Sequence, residues 1–208
     1  MNNKSISWIH EPELVDYKDA LKFMEDTVLS IRDYQHPDLI WCLEHPPVFT
    51  AGTSAKPEHL LDSLGFPVYQ TGRGGQYTYH GPGQLVVYVM VDLEKRKKDI
   101  RLYINTLEEW IIKTLSFFNV EAERREGRVG LWVKGKNEEE QKIAAIGVRI
   151  SRWVTWHGLS INICPNLGHF QGIVPCGLSE FGVTSLEKLG IKTTLKEVRS
   201  KLVENCPF

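Results

Sequence analysis

Long hydrophobic runs are missing from this sequence of 208 residues. No stretch approaches about 18 consecutive apolar residues, the length that a transmembrane helix needs. The first residues, MNNKSISW, also lack the apolar segment of a secretory signal peptide. We therefore expect a cytoplasmic protein that has no membrane partner.

Metal-binding and disulfide patterns are missing as well. The four cysteines form no CxxC pair and are too sparse for a disulfide framework in a chain of this length. The seven histidines show neither HxxxH nor HExxH spacing. We expect free thiols and no metal site.

The chain has no strong excess of charge of either sign. It carries 25 Lys and Arg against 26 Asp and Glu, a net charge of −1, which gives no overall attraction to nucleic acid. It also lacks internal repeats and Pro- or Ser-rich linkers. We predict a single domain over residues 1–208.

Periodic apolar residues predict three helices and six strands. Apolar residues recur at helical spacing over residues 16–34, 100–115 and 194–204. Short apolar or alternating runs at 39–43, 67–70, 85–91, 129–133, 143–150 and 154–163 are typical of strands. Because regular helical crossovers between the strands are missing, we predict an α+β fold, with packed helices on a mixed sheet.

A glycine-rich segment, TGRGGQYTYHGPGQ, occupies residues 71–84 between two of these strand candidates. Glycine lets a backbone approach a ligand closely, and the interleaved Tyr and His side chains could supply walls and hydrogen bonds. The glycines match neither GxxxxGK[ST] nor GxGxxG, so a nucleotide loop is not indicated. An ordinary glycine-rich turn is the alternative.

Cys176 is the cysteine best suited to act as a nucleophile. Pro175 and Gly177 flank it, which braces one side, leaves the other open and allows backbone N–H groups to face an oxyanion. The competing interpretation is an inert thiol, which describes most cysteines.

Lys142 is a candidate base for such a thiol. Strand periodicity places it on one face with Ala144, Ile146 and Val148. An ammonium group among apolar side chains is costly, and a lysine in such a place can give up its proton and act as a general base. The alternative is that Lys142 begins the strand and extends its amine to water.

Several segments together resemble the lipoyl(octanoyl) transferases, which move an octanoyl group from acyl carrier protein to a lysine of a lipoyl domain. The resemblance spans nearly the whole chain. Its segments are LEHPPVFT at 43–50, RGGQYTYHGPGQL at 73–85 with Tyr88, KIAAIG at 142–147, HGLSIN at 157–162 and VPCG at 174–177. Ser160 departs from the Ala that we expect in the family, and Tyr77 and Tyr79 occupy variable positions.

The resemblance implies a fold similar to the catalytic domain of biotin and lipoate protein ligases. It also implies that Cys176 carries the acyl group and that Lys142 is its catalytic partner. The residues that it implies for the acyl pocket are Arg73, Gly74, Gly75, Gln76, Tyr77, Thr78, Tyr79, His80, Ala145, Ile146, Gly147, Gly158, Leu159 and Ser160.

The activity implied is octanoyl transfer in lipoate biosynthesis, through a Cys176 thioester. The donor is octanoyl-acyl carrier protein, and its phosphopantetheine arm delivers the acyl group without ATP or metal. The acceptors are lipoyl domains of 2-oxoacid dehydrogenase complexes and the glycine cleavage H protein, and the enzyme is expected to be a monomer. The acidic carrier could dock on Lys95, Arg96, Lys97 and Lys98, or on Arg149 with Arg152.

Three alternatives stay open at this point. An ATP-dependent lipoate ligase would not need Cys176, and a non-catalytic module would bind acyl carrier protein without transferring the acyl group. Within the transferase interpretation, His80 could replace Lys142 as the base.

Overall fold

The computed structural model describes residues 6–135, 138–174 and 181–208. Its helices are α1 Tyr17–Arg32, α2 Ile100–Ser116 and α3 Leu195–Glu204, with short 3-10 turns at Pro57–His59 and Leu167–Gly172. Its strands are β1 Ser7–Leu14, β2 Leu39–Glu44, β3 Val48–Ala51, β4 Val68–Gln70, β5 Tyr77–His80, β6 Gln84–Met90, β7 Glu123–Arg125, β8 Arg128–Lys134, β9 Glu140–Ser151, β10 Val154–Asn162 and β11 Gly182–Val183. Within these ranges, no helix is long and apolar enough to cross a membrane.

A large mixed sheet forms the centre of the fold. Its strand order is β1-β2-β6-β10-β9-β8-β7, and β11 pairs with the free stretch of β9 beyond β10. The β1–β2 and β9–β11 pairs are parallel, whereas the other pairs of this sheet are antiparallel. The predicted mixed sheet with packed helices is confirmed.

The helices cover both faces of this sheet. The apolar residues of α1 pack with one face, around Trp41, Tyr88 and Trp156. Those of α2 and α3 pack with the opposite face, where Trp110 and Leu107 lie in a larger cluster. The predicted helices are therefore present, and each begins at a side-chain cap, which is Asp16, Asp99 or Thr194.

A second, smaller sheet was not predicted. Its strand order is β4-β3-β5, and Phe49, Tyr79 and Phe170 form its own apolar cluster. Strand β5 lies inside the glycine-rich segment, which therefore combines a turn with a strand. Strands β1, β7 and β11 were also not predicted from the apolar pattern, because β1 and β7 are largely exposed and β11 has only two residues.

A β-bulge in β9 changes which face Lys142 occupies. Leu131 of β8 pairs with Ala144, but the next residue, Trp132, pairs with Lys142, so Ile143 is an extra residue in β9. The interpretation that Lys142 shares a face with Ala144, Ile146 and Val148 is therefore wrong. Beyond the bulge, the residues on the face of Lys142 are Ala145 and Gly147.

Candidate active site

A cavity of about 430 Å³ lies on the α1 side of the large sheet, beside the small sheet. This volume falls within the range of about 300–1,000 Å³ that is typical of small-molecule sites. Its floor consists of residues that face the same side on three adjacent strands, including Val86, Ala145 and Ser160. Ser160 pairs with both Val86 and Ala145, so this row of small side chains runs across the sheet and leaves room for a ligand.

Lys142 lies in the wall of the cavity and is only 6% exposed. Its Nζ donates a hydrogen bond to the carbonyl oxygen of Val129 at 2.7 Å and lies 5.6 Å from the ring centre of Trp132. The alternative that its side chain extends to bulk water is therefore wrong. The bulge and the Val129 carbonyl together hold the amine at the cavity.

Gly130 makes room for the lysine side chain. Its φ is +104°, which side chains rarely adopt, and an added Cβ would lie 2.4 Å from Lys142 Cε and 3.0 Å from Lys142 Nζ. The same Cβ would lie 2.6 Å from the carbonyl oxygen of Ala144. A glycine at this position is therefore needed for the observed placement of Lys142.

Arg73 supports the glycine-rich loop from inside and is 7% exposed. Its guanidinium donates hydrogen bonds to the carbonyl and hydroxyl oxygens of Thr50, both at 2.7 Å, and to the carbonyl of Gly74 at 3.0 Å. Gly74 N–H in turn donates to the carbonyl of Val148 on β9 at 2.9 Å. These bonds fix the loop over the cavity floor.

Three buried histidines, His45, His80 and His157, lie around the loop and are 0%, 8% and 2% exposed. Burial is the main cause that lowers their pKa values, to about 4, 3 and 3 respectively, and the Arg73 cation lowers those of His80 and His157 further. All three are neutral at neutral pH. His80 is thus a poor base there.

The structure brings most of the expected site residues together. Lys142 and all the expected pocket residues except Tyr79 line the cavity. Tyr79 points into the core of the small sheet, where its hydroxyl bonds the ring of His169 at 2.7 Å. Cys176 lies outside the described residues. The described chain resumes at Phe181, and Val183, seven positions after Cys176, pairs with Lys142.

Other cavity residues were not identified from the sequence as site residues. They are Tyr17, Ser54, Val86, Tyr88, Ile104, Gly127, Arg128, Val129, Val148 and His157. Tyr88 and His157 fall within the segments that carry the family resemblance, which could have indicated them. Tyr17 comes from α1, far away in the chain, and no local pattern marks it.

The two candidate docking patches differ in how their charges are satisfied. Lys95, Arg96 and Lys98 form ion pairs with carboxylates of the chain itself, on Asp92, Asp38 and Glu94. In contrast, Arg149 and Arg152 have no ion pair with any residue that the structure describes. The Arg149 guanidinium stacks on Trp156 at 4.2 Å and fills the space beside Gly72 of the glycine-rich loop.

Known proteins are similar to this chain in sequence and in fold. A family model, the lipoyl protein ligase A/B catalytic domain, matches residues 16–206. An octanoyltransferase of Paramagnetospirillum magneticum is 53% identical over 205 residues, which cover 99% of this chain and 97% of the relative.

Two solved structures show the same fold at low identity. A bipartite lipoate protein ligase from Thermoplasma acidophilum has a TM-score of 0.71 and 16% identity, covering 96% of this chain and 81% of that one. A biotin protein ligase from Aquifex aeolicus has a TM-score of 0.56 and 13% identity, covering 97% and 68%. The expected similarity to biotin and lipoate ligases is confirmed, and the chain belongs to the lipoyl protein ligase A/B catalytic domain family and, within it, to the octanoyltransferases.

Proposed function

We propose that the protein transfers an octanoyl group from acyl carrier protein to a lysine of a lipoyl domain. The group is carried as a thioester on Cys176, and Lys142 moves the protons. The observation that carries this proposal is the burial of Lys142 in the wall of a largely apolar cavity, with its Nζ held 2.7 Å from the Val129 carbonyl. An apolar cavity suits an alkyl chain, and an amine beside it suits proton transfer.

In the first half-reaction, Lys142 takes the proton from the Cys176 thiol, and the thiolate attacks the carbonyl carbon of the octanoyl thioester. A new S–C bond forms at Cys176. The bond to the phosphopantetheine sulfur then breaks, and that thiolate leaves with the proton from Lys142. Because one thioester replaces another, this step needs no ATP.

In the second half-reaction, the incoming lysine must lose a proton, since a free lysine has a pKa near 10.4 and is almost wholly protonated at neutral pH. Lys142 accepts this proton, and the amine attacks the thioester. The S–C bond to Cys176 breaks, the amide forms and the thiol regains a proton. Conversion of a thioester into an amide is downhill, so no ATP or metal is required here either.

The partners follow from this chemistry. Octanoyl-acyl carrier protein is the donor, and lipoyl domains of 2-oxoacid dehydrogenase complexes and the glycine cleavage H protein are the acceptors. The enzyme acts as a monomer in the cytoplasm. Arg149 and Arg152 favour docking of the acidic carrier beside the loop, because no carboxylate of the described chain neutralises them, whereas most of the 95–98 cluster is neutralised.

Intact-protein mass spectrometry tests the proposal directly. The enzyme is mixed with octanoyl-acyl carrier protein without ATP, beside a Cys176→Ser variant. We expect a hydroxylamine-labile octanoyl adduct only when Cys176 is present. Absence of the adduct, with confirmed acyl carrier protein and folded enzyme, would reject the covalent mechanism. Octanoylation that requires ATP and releases AMP would identify a ligase instead.

Substitution of Lys142 tests the proposed base. Lys142→Ala removes the amine, and we expect the rate of adduct formation to fall by at least about 100-fold, which is the typical contribution of a positioned general base. Unfolding by urea provides the control for stability. Full activity in this variant would eliminate the lysine assignment.

A further inference from the structure

A series of hydrogen bonds through two buried side-chain amides runs from His80 to Thr184, the residue that follows β11. His80 Nδ1 lies 2.6 Å from Gln84 Oε1, and Gln84 Nε2 donates to Asn162 Oδ1 at 2.9 Å. Asn162 Nδ2 then donates to the carbonyl oxygen of Thr184 at 2.9 Å. His80, Gln84 and Asn162 are 8%, 1% and 4% exposed, so water competes little for these bonds.

The direction of each hydrogen bond in this series follows from the Thr184 carbonyl at its end. The Thr184 carbonyl can only accept, so Asn162 must turn its NH₂ group toward it and its oxygen toward Gln84. Gln84 must then present its own NH₂ group, which also reaches the Tyr79 carbonyl at 3.3 Å. The Gln84 oxygen is left to face His80, and the Nδ1 of His80 must carry the proton.

This direction determines what His80 can offer to a ligand. Its pKa is lowered to about 3, first by burial and then by His45, Arg73 and His157, while the bond to Gln84 opposes the shift. The ring is therefore neutral, with its one proton on Nδ1 and a lone pair on Nε2. His80 lines the cavity, so a ligand meets a hydrogen-bond acceptor that is too weakly basic to take a proton.

The other end of the series reaches the strand of the candidate base. The Thr184 N–H donates to the carbonyl oxygen of Lys142 at 2.9 Å, next to the Val183–Lys142 pair. The same buried series thus links a pocket acceptor in the glycine-rich segment to the backbone of Lys142.

We propose that His80 binds the substrate by accepting a hydrogen bond at Nε2 from a substrate N–H group, and that Gln84 and Asn162 are positioning residues that hold His80 in this tautomer. The inference rests on the proposed function, which supplies two kinds of N–H group. One is the amide of the pantetheine arm that carries the thioester, and the other is the amine of the acceptor lysine. The chemistry required of the ligand is the same in both.

Nitrogen NMR of the full-length enzyme tests the tautomer. We expect the Nε2 of His80 to show the signal of an unprotonated imidazole nitrogen from about pH 5 to about pH 8, because the ring stays neutral in that range. A His80→Phe spectrum assigns the signal. A proton on Nε2 anywhere in this range would overturn the proposal.

Donor substrates with and without amides test the binding role and its source. Octanoyl-pantetheine contains amide N–H groups, whereas the S-ethyl thioester of octanoate contains none. If His80 binds the pantetheine arm, His80→Phe should raise the KM for octanoyl-pantetheine about tenfold and leave the KM for the ethyl thioester unchanged. If His80 instead binds the amine of the acceptor lysine, the variant should keep the KM for both donors and raise the KM for the lipoyl domain about tenfold.

An equal loss with both donors and with the lipoyl domain, or no loss with any of them, would overturn the proposal. His169→Phe is the matched control, because this ring packs on Tyr79 without lining the cavity. Wild-type enzyme that is acylated by neither donor would count against the proposed function instead, so the two failures are distinguishable.

Gln84→Glu tests the positioning role without removing the imidazole. A carboxylate beside the Nδ1–H stabilises the charged ring and so raises the pKa of His80. This effect opposes Arg73, His45 and His157, which lower the pKa. The KM for the substrate that His80 binds should then rise as the pH falls from about 8 to about 6, where the wild type stays flat. A flat profile with wild-type KM would show that Gln84 does not set the tautomer.

Discussion

Replacing Gly130 with alanine should displace Lys142 while leaving the side chains of Lys142 and Cys176 chemically intact. The new Cβ would lie 2.4 Å from Lys142 Cε and 2.6 Å from the Ala144 carbonyl. The flexible lysine side chain can move away from the first contact, whereas the second contact is with sheet backbone and requires a shift of β8 or β9. The 2.7 Å bond from Lys142 Nζ to Val129 would then be lost.

Two effects of different size are expected from Gly130→Ala. A non-glycine residue at φ +104° costs about 1–3 kcal/mol of the free energy of unfolding. The displaced amine affects the rate more strongly, since a misplacement of about 1 Å at a catalytic group can cost about 100-fold. We therefore expect a folded enzyme whose rate of acyl-enzyme formation is reduced about 100-fold.

The assay is the rate of octanoyl adduct formation by intact-protein mass spectrometry, beside urea unfolding. Gly190→Ala is the matched control, because Gly190 also has a positive φ, +85°, but an added Cβ would meet nothing within 4 Å. It should keep its rate and lose less stability than Gly130→Ala, because only its backbone conformation is affected. Wild-type acylation in Gly130→Ala, or an equal loss of rate in Gly190→Ala, would refute the reasoning.

Three further predictions concern the cavity, the carrier and pH. Ala145→Leu adds bulk to the cavity floor and should shift preference from octanoyl to shorter acyl donors in a competition assay; unchanged preference would place the chain elsewhere. Arg149→Glu should raise the KM for octanoyl-acyl carrier protein about tenfold, and more so at low salt, whereas Lys97→Glu should not; the reverse result would assign docking to the 95–98 cluster. The three buried histidines have folded pKa values of about 3 to 4, below about 6.5 when unfolded, so the unfolded chain binds more protons between these values. Stability should therefore be complete above pH 6.5 and fall by up to about 4 kcal/mol per pH unit below about pH 6, and a flat urea midpoint down to pH 4.5 would contradict the burial of these rings.

The parts of the fold that were predictable from sequence have strong local periodicity. The apolar spacing of α1 and α2, and the continuous apolar run of β6, are visible in the sequence because one face or both faces are buried. Strand β5 was hidden because its residues follow several glycines, and its pairing partner in β3 is far away in the chain. Pairing over such a distance leaves no local pattern.

The site was partly predictable for a related reason. The glycine-rich segment and Lys142 stand out by residue type, and the cavity contains them as expected. The face of Lys142 was misassigned, since a bulge depends on the register of two strands and a strict period of two cannot show it. Tyr17 and Val129 enter the cavity only through tertiary packing.

The extra residue at Ile143 makes the location of Lys142 depend on the pairing of β8 with β9 as well as on residue type. On the core side of this point, β9 contributes Ile143 and Ala144 to the cluster beneath α2, while Lys142 faces the cavity. If the same residues formed a regular strand without the bulge, Lys142 would lie two positions before Ala144 on the same face, and its amine would turn toward that cluster. The pairing register of β8 with β9 therefore determines whether the amine lies in the cavity, even when every residue of the site is present.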